Sequence, residues 1–327
     1  MKRFFLLAVL CTSCAAMAQV QSVTVTSTRD PVDKSYRKML RGMDRFETEQ
    51  SKAPGAVLRF RLLPRLPGTR MEGIAMKVMG DTVSLPVPVA PDNSFTLERN
   101  AQAQREDAAL VANRRTASMT WRADVRSPAV PEGQRRLGDL RAECLVGVEA
   151  GLVSNNAHLF RWLSDMLTSP ERVCGDEQGN YLFFAEQPLF AVHLRAGTRS
   201  ATLPFRLQYA GGTLPPADLP YCDCQVLLDR SYHAPIWDRS WPDDTLLSFE
   251  YMGDPPAPDA LPAPGIQPGQ AEAEVRALLG AATEVRFASG MQAWLYPEAA
   301  RRAQHKGPEY IVLLGADGRV LKSLRSF

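Results

Sequence analysis

Hydrophobic positions along this chain follow two different spacings, and each spacing predicts one kind of element. Residues 33–50 carry apolar side chains three and four positions apart, which predicts an amphipathic helix. Its apolar face consists of Tyr36, Met39, Leu40, Met43 and Phe46. A second helix is predicted over residues 157–167, and Pro170 follows its end.

Most other apolar segments alternate with polar residues at every second position, as half-buried strands do. The predicted strands are 57–62, 74–78, 82–89, 95–97, 119–125, 140–153, 181–184, 189–194, 202–207, 221–228 and 246–251. Short strands between Gly, Pro and Asp turns are typical of β-sandwich packing. We therefore expect a β-sandwich-like region over residues 19–253, either as one domain or as two divided near 128–131. Residues 20–28, rich in Thr, Ser and Val, either add an edge strand or stay loose.

A proline-rich linker at residues 254–265 precedes a different pattern. Residues 266–327 read as one helix that ends near Gly280, followed by strands. Closely spaced prolines favour an extended, semi-rigid spacer, so we expect the tail to be mechanically separate. The expected fold class is mainly β with a small α+β tail, in which a helix lies on an antiparallel sheet.

The N-terminus has the order of zones found in secretory signals. Basic residues at 2–3 precede an apolar run at 4–10, and small residues follow at 16–18. We expect cleavage after residue 18, so that the mature chain starts at Gln19 and is exported to the periplasm or the periphery of the outer membrane. A lipid anchor on Cys14 is the alternative, and membrane contact is expected only in that case.

The charge balance bears on the class of partner. Loss of residues 1–18 removes two of the 38 basic residues and none of the 36 acidic ones, so the mature chain has a net charge of zero. Nucleic-acid binding needs a clear basic surplus, because the protein must neutralise phosphates. We therefore expect no nucleic-acid partner.

Four cysteines remain in the mature chain, and an even number in an exported protein predicts disulfides. Cys222 and Cys224 are two positions apart in a predicted strand, where a bond between them would be strained. We therefore expect Cys144 and Cys174 each to pair with one member of that couple. A metal site is not expected, since the chain lacks a CxxC pair and histidines at ligand spacing.

The four histidines do not form a recognisable catalytic motif with their neighbours. They are His158, His193, His233 and His305, and we interpret all of them as structural. The chain has no GxSxG, HExxH, P-loop or GxGxxG sequence. We accordingly predict no catalytic residues, no metal ligands and no cofactor.

The segment 237–244 combines Trp237 and Trp241 with several carboxylates. Two interpretations stay open for it. The aromatic rings either line a sugar- or peptide-binding surface, or they fill the end of the β region, since aromatic side chains bury large areas. We favour the second and keep the two tryptophans as candidate interaction residues.

The tail carries an ordered set of short motifs: Ile266-x-x-Gly269, a helix with Val275 and Leu278-Leu279-Gly280, Trp294-x-Tyr296, an apolar strand at 310–314, a turn at 315–318 and a strand at 319–324. In this order the tail resembles the BamE/SmpA/OmlA family, small subunits associated with the outer-membrane β-barrel assembly machinery. The resemblance implies a helix packed on a three-stranded antiparallel sheet and a role in protein–protein contact. It makes Trp294 and Tyr296 candidate interaction residues.

The sequence therefore favours a non-enzymatic protein of the cell envelope that contacts other envelope proteins, among them outer-membrane assembly components. Two alternatives remain. One is a periplasmic enzyme such as a carbohydrate hydrolase that uses the carboxylates of 238–244. The other is a secreted inhibitor or ligand-binding module whose tail sheet exposes aromatic side chains.

Overall fold

A computed structural model of the protein describes residues 34–115, 118–152, 169–177, 181–211, 226–256, 260–296 and 309–325. The described chain is mainly β, with a C-terminal unit in which a helix packs on an antiparallel sheet. The expected fold class is therefore confirmed. The signal segment, residues 20–28 and the helix predicted at 157–167 lie outside the described residues.

Helices and strands alternate irregularly along the chain. The helices are α1 (Tyr36–Thr48), α2 (Ala101–Arg105), α3 (Leu137–Glu149), α4 (Pro170–Gly175) and α5 (Glu272–Leu279). The strands are β1 (Lys34–Ser35), β2 (Val57–Pro64), β3 (Met76–Met79), β4 (Ser84–Val87), β5 (Ser94–Phe95), β6 (Ala109–Ala112), β7 (Met119–Arg126), β8 (Arg135–Arg136), β9 (Phe183–Phe184), β10 (Leu189–Ala196), β11 (Arg199–Thr202), β12 (Ser231–Tyr232), β13 (Leu246–Tyr251), β14 (Thr283–Arg286), β15 (Gln292–Tyr296), β16 (Tyr310–Leu314) and β17 (Val320–Arg325). All paired strands in the described ranges are antiparallel.

Helix α1 confirms the helix predicted at 33–50. It starts one residue after Ser35, whose hydroxyl oxygen accepts a hydrogen bond from the Lys38 N–H at 3.3 Å. Such a cap satisfies one of the N–H groups that the first turn leaves without a partner. The face with Tyr36 and Met39 is fully buried, as the spacing of apolar residues predicted.

The first hydrophobic core lies between two sheets, with strand orders β1-β6-β3-β4 and β5-β2-β7, and is covered by α1 and α3. Phe60 and Leu62 of β2 point into it, and so does Trp121 of β7. The Phe95 ring lies edge-on to Trp121, with the ring centroids 5.9 Å apart. These rings fix the sheet that carries the site described below.

The second core lies under the sheet with order β11-β10-β13-β8 and the two-stranded ladder β12-β9. Leu189 and Val192 of β10 contribute to it, together with Tyr232 and Trp241. The two cores thus belong to different sheets, and α3 lies between them.

Helix α3 corrects the strand expected at 140–153. One side of it, with Ala142 and Val146, belongs to the first core, and the other side, with Leu140 and Cys144, belongs to the second. A helix that is buried on all sides lacks the one-sided apolar stripe by which an amphipathic helix is recognised. Its apolar run therefore looked like a buried strand.

Two further strand predictions need correction. Residues 202–207 form only the end of β11, and a 3-10 helix follows at Phe205–Leu207, because Pro204 fixes its φ and has no N–H for a ladder. Of the strand predicted at 221–228, residues 221–225 lie outside the described residues. Residues 226–227 are a turn that leads into the 3-10 helix Leu228–Arg230.

The C-terminal unit is a meander in which α5 covers the sheet β14-β15-β16-β17. The sheet has four strands rather than the three implied by the family resemblance, since Thr283–Arg286 adds an edge strand. The predicted turn joins β16 to β17, with Gly318 at a φ of 72° that suits glycine. The hairpin at the end of the chain is as expected.

The tail is not mechanically separate, which corrects that expectation. One face of its sheet shares a hydrophobic core with the preceding region, where Ile311 and Leu313 of β16 join Phe190 of β10 and Phe205. The linker is not a free spacer either. Its Ala263 is buried, and the Leu261 carbonyl accepts a hydrogen bond from the Arg325 N–H at 2.7 Å. Successive residues of β16 point to opposite faces of the tail sheet, and the second face is apolar. A small module could not keep such a face exposed to water.

Candidate functional site: an apolar groove beside an open strand edge

An apolar groove of about 270 Å³ lies between α1 and the beginning of β2. Met43 and Phe46 of α1 form one wall, while Val57 and Leu58 of β2 and the nearby Leu97 form the other. Val57 is 59% exposed, the largest value among the bulky apolar side chains of the described residues. The groove is therefore both apolar and accessible from solvent.

Strand β5 stops early beside the groove. Phe60 pairs with Phe95, and the Leu62 N–H donates to the Asn93 carbonyl at 3.1 Å. In the same register Leu58 would lie opposite Leu97, but β5 ends at Phe95. Both leucines line the groove.

The chain after Phe95 is held by α1 instead of by β2. The Tyr36 hydroxyl donates to the Glu98 carbonyl and accepts a hydrogen bond from the Asn100 N–H at 2.8 Å. Burial raises the pKa of Tyr36, so the hydroxyl remains protonated and can make both bonds. The Asn100 side chain then caps α2 by accepting from the Ala103 N–H at 2.9 Å.

Glu47 lines the groove on the side of α1, and it belongs to a cluster of three charged side chains. Arg99 donates to Asp44 at 2.7 Å and to Glu47 at 2.8 Å. These hydrogen bonds raise the pKa of Arg99 above its ordinary value. The bonds tie the segment after β5 to α1 a second time.

At its open edge, β2 presents backbone groups that can form hydrogen bonds. Backbone groups of a strand point alternately to its two sides, so those of Leu58 face the same side as those of Phe60 and Leu62. On that side no residue of the described ranges pairs with Leu58. An extended segment placed in the groove would find a donor, an acceptor and apolar walls together.

Sequence reasoning found the elements around the groove but not the groove itself. It placed Phe46 on a helix face and Val57 in a strand, and it predicted a strand at 95–97. No local pattern showed that the strand ends after Phe95, because the segment that follows is held by residues distant in sequence, such as Tyr36, which is 64 positions from Asn100. The signal in the sequence that could have helped was Tyr36, because a buried tyrosine hydroxyl usually needs a hydrogen-bond partner.

The aromatic loop at 237–244 proves to be a packed element. Arg141 of α3 is buried and donates to the carbonyls of Ile236, Asp238 and Trp241 at 2.8–2.9 Å, and to Asp243 at 2.5 Å. Trp241 is 5% exposed and belongs to the second core. As a candidate interaction residue Trp241 is therefore wrong, because its ring fills the core.

The same loop accounts for the remaining members of that candidate site. Trp237 is half-buried and packs against the second core. The Asp238 carboxylate accepts from the Ser240 N–H at 2.8 Å, which is a turn contact. The guanidinium of Arg199 lies 3.6 Å from the centroid of the Trp241 ring. The Asp238 carboxylate thus stabilises a turn, and the Asp243 carboxylate is bound by Arg141.

Trp294 and Tyr296 were expected at an interaction surface, and this expectation is wrong as well. Both point to the helix side of the C-terminal sheet, where Val275 of α5 covers them. Trp294 is fully buried and Tyr296 is 5% exposed. The opposite face of the same strands is covered by the shared core, so neither face displays aromatic rings.

The expected disulfide pairing is wrong for the two cysteines that the structure describes. Cys144 of α3 is bonded to Cys174 of α4, with the Cα atoms 6.0 Å apart. The error follows from taking 140–153 as a strand, since the helix directs Cys144 towards α4. Cys222 and Cys224 lie outside the described residues.

Two of the four histidines, His193 and His233, lie in the described part of the chain. The His193 ring lies 3.3 Å from the Thr202 hydroxyl and 3.8 Å from Glu250. Burial lowers the pKa of His233, whose backbone N–H donates to the Leu207 carbonyl at 2.7 Å. His158 and His305 lie outside the described residues.

A buried ion pair holds α3 to the sheet behind the groove. Arg135 donates to Glu143 at 2.6 Å and to the Val125 carbonyl at 3.3 Å, and Glu143 in turn accepts from the Val125 N–H at 3.3 Å. Burial opposes the charge of Arg135, yet Glu143 and Asp124 raise its pKa, so the guanidinium stays charged. Sequence reasoning missed this pair because its members are brought together by the tertiary fold.

The described part of the chain also bears on two other kinds of site, metal centres and membrane-spanning helices. No group of three or more His, Cys, Asp or Glu side chains there is arranged to hold a metal ion. Within the same ranges, each helix is too short or too polar to cross a bilayer. Comparison with protein-family models, curated proteins and solved structures found no match for this chain.

Proposed function

We propose that this chain is an exported, non-enzymatic protein of the cell envelope that binds an extended segment of another envelope protein in the groove between α1 and β2. The observation that carries the proposal is the open edge of β2 at Leu58 beside an apolar groove. Both features match what a partner strand requires.

Strand addition explains why backbone and side-chain features occur together. A peptide that extends a sheet gains affinity from main-chain hydrogen bonds, and pockets for alternate side chains give specificity. Here Leu58 supplies the main-chain groups, and Met43, Phe46 and Leu97 supply the pocket. The groove has a volume of about 270 Å³.

Export is supported by two independent features. The order of basic, apolar and small residues at the N-terminus is that of a secretory signal. The bond between Cys144 and Cys174 is of the kind that persists in oxidising compartments. The periplasm or the periphery of the outer membrane is therefore the proposed location. The resemblance of residues 266–327 to the BamE family makes outer-membrane assembly components the first partners to test.

The experiment uses a photo-crosslinking amino acid at position 47, on the rim of the groove, in cells that make the full chain. The Glu47 side chain is 66% exposed, so replacing it removes only a surface ion pair. We expect crosslinks to one extended segment of a partner, identified by mass spectrometry. Val57→Lys places a charge in the groove and should reduce the yield severalfold.

Met79→Lys is the matched control, because Met79 is also exposed, at 39%, but lies on β3 away from the groove. It should leave the crosslink unchanged. Equal yields with both lysine variants, or crosslinks scattered over unrelated proteins, would contradict partner binding at this groove.

A further inference from the structure

We propose that strand β14 pairs antiparallel with β14 of a second copy of this chain, about a twofold axis at Val285, so that Glu284 of each copy lies opposite Arg286 of the other. The contact joins the two C-terminal sheets into one continuous sheet. It uses a surface other than the groove and does not depend on the proposed function.

Strand β14 stands at the end of its sheet and has an open edge. The sheet order β14-β15-β16-β17 gives it a strand neighbour on one side. The Phe287 N–H donates to the Met291 carbonyl at 3.0 Å and so continues the ladder between β14 and β15. Because backbone groups alternate along a strand, those of Val285 also face β15, and those of Glu284 and Arg286 face the open side. No backbone group of the described ranges bonds to these two residues on that side.

Antiparallel pairing of two identical β14 strands has one register that uses both outward-facing residues of each copy. In this register Val285 lies opposite Val285 of the second copy. Glu284 and Arg286 then form two pairs related by the axis, and each pair can exchange both of its N–H···O=C bonds. A shift by two residues keeps one pair and places Glu284 opposite Glu284, or Arg286 opposite Arg286.

The charges of β14 select the same register as its backbone. Charged residues on an edge strand usually oppose pairing with another chain, because like charges meet. Opposite charges directly across an antiparallel pair are favourable, whereas like charges there are destabilising. Glu284 and Arg286 therefore attract in the register centred on Val285 and repel in the shifted ones. The strand is complementary in charge to a second copy of itself.

The two charged side chains are placed to make this contact. Arg276 of α5 donates to the Glu284 carboxylate at 2.5 Å, and this hydrogen bond lowers the pKa of Glu284, so the carboxylate stays charged. The Arg286 side chain is 71% exposed and donates to the same carboxylate at 3.3 Å. Arg286 can therefore turn to the second copy without leaving a buried position, while Arg276 holds Glu284 in place.

The test is analytical ultracentrifugation of the purified mature chain over a range of concentrations, in which we expect a reversible monomer–dimer equilibrium. Arg286→Glu places like charges in both pairs and should weaken the dimer by about tenfold or more. Lys77→Glu is the matched control, because it makes the same change of charge at an exposed position of β3 and should leave the equilibrium unchanged. A chain that stays monomeric at every concentration, or equal weakening by both variants, would overturn the proposal.

A mixing experiment tests the register itself. Glu284→Arg also places like charges in both pairs, so this variant should be as weakly associated as Arg286→Glu when each is measured alone. In a mixture of the two variants every pair joins Glu to Arg, and a dimer with one copy of each should form. Circular dichroism establishes that both variants are folded before they are mixed. Folded variants that fail to associate in the mixture would overturn the pairing about Val285.

Discussion

Lys322 of the C-terminal sheet donates a hydrogen bond to Glu250 of β13 at 3.0 Å, and both side chains are almost fully buried. Lys322 also donates to the carbonyls of Tyr251 at 2.6 Å and Asp254 at 3.0 Å, and lies 4.5 Å from the centroid of the Phe190 ring. The tail is therefore held to the preceding region by a buried charge as well as by apolar packing.

Replacing Lys322 with Met should lower the free energy of unfolding by about 3–5 kcal/mol, because Glu250 is left buried without its counter-charge. Denaturant unfolding measures this change. The combined variant with Glu250→Leu should lose much less than the sum of the single variants, since no charge is then buried alone. Additive losses would show that the two side chains do not act as a pair.

The isolated tail, residues 264–327, should fail to show a cooperative thermal transition. Ile311 and Leu313 need the preceding region to cover them, and a unit of this size has little stability to spare. Circular dichroism of the fragment and of the full chain is the measurement. The full chain provides the control. A sharp transition of the fragment alone would mean that the shared core is dispensable.

A non-reducing peptide map of the mature protein should contain a fragment that links Cys144 to Cys174. The bond closes a loop of 30 residues, so replacing both cysteines with Ala should cost about 3–4 kcal/mol in the chain-entropy model. Unfolding in denaturant checks the magnitude. Recovery of either residue linked to Cys222 or Cys224 in native protein would contradict the pairing.

Glu106 should titrate with a pKa of about 2. The hydrogen bond from the Thr82 hydroxyl lowers its pKa most, followed by those from the Gln102 side chain and the Thr82 N–H. Because the folded pKa lies below the unfolded value, the stabilisation is complete above about pH 4.5 and is lost as the pH falls through 2.

Thr82→Val removes the hydroxyl and should raise the pKa of Glu106 towards 4.5, as followed by NMR of the side-chain carboxyl carbon. Thr69→Val removes a hydroxyl that donates to the Ser118 carbonyl and serves as the control, without effect on Glu106. An unchanged pKa in the Thr82 variant would assign the shift to another cause.

Local patterns predicted the elements in which one face meets a core and the other meets water. The helix α1 and the strands β2 and β3 belong to this class, because their apolar spacing reports directly on burial. Helix α3 does not belong to this class, because it packs against a hydrophobic core on each side and so has no one-sided apolar stripe. The same loss of pattern led to the wrong partner for Cys144.

The sequence by itself determined the mainly β character, the helix-and-meander tail and the expectation of export, because these depend on spacing and composition over short stretches. Only the tertiary structure decided that both faces of the tail sheet are covered and that Trp294 is buried. It also decided where β5 ends and thus where the groove opens. The physical reason is that these features depend on contacts such as Lys322 with Glu250 and Tyr36 with Asn100, which join residues more than sixty positions apart.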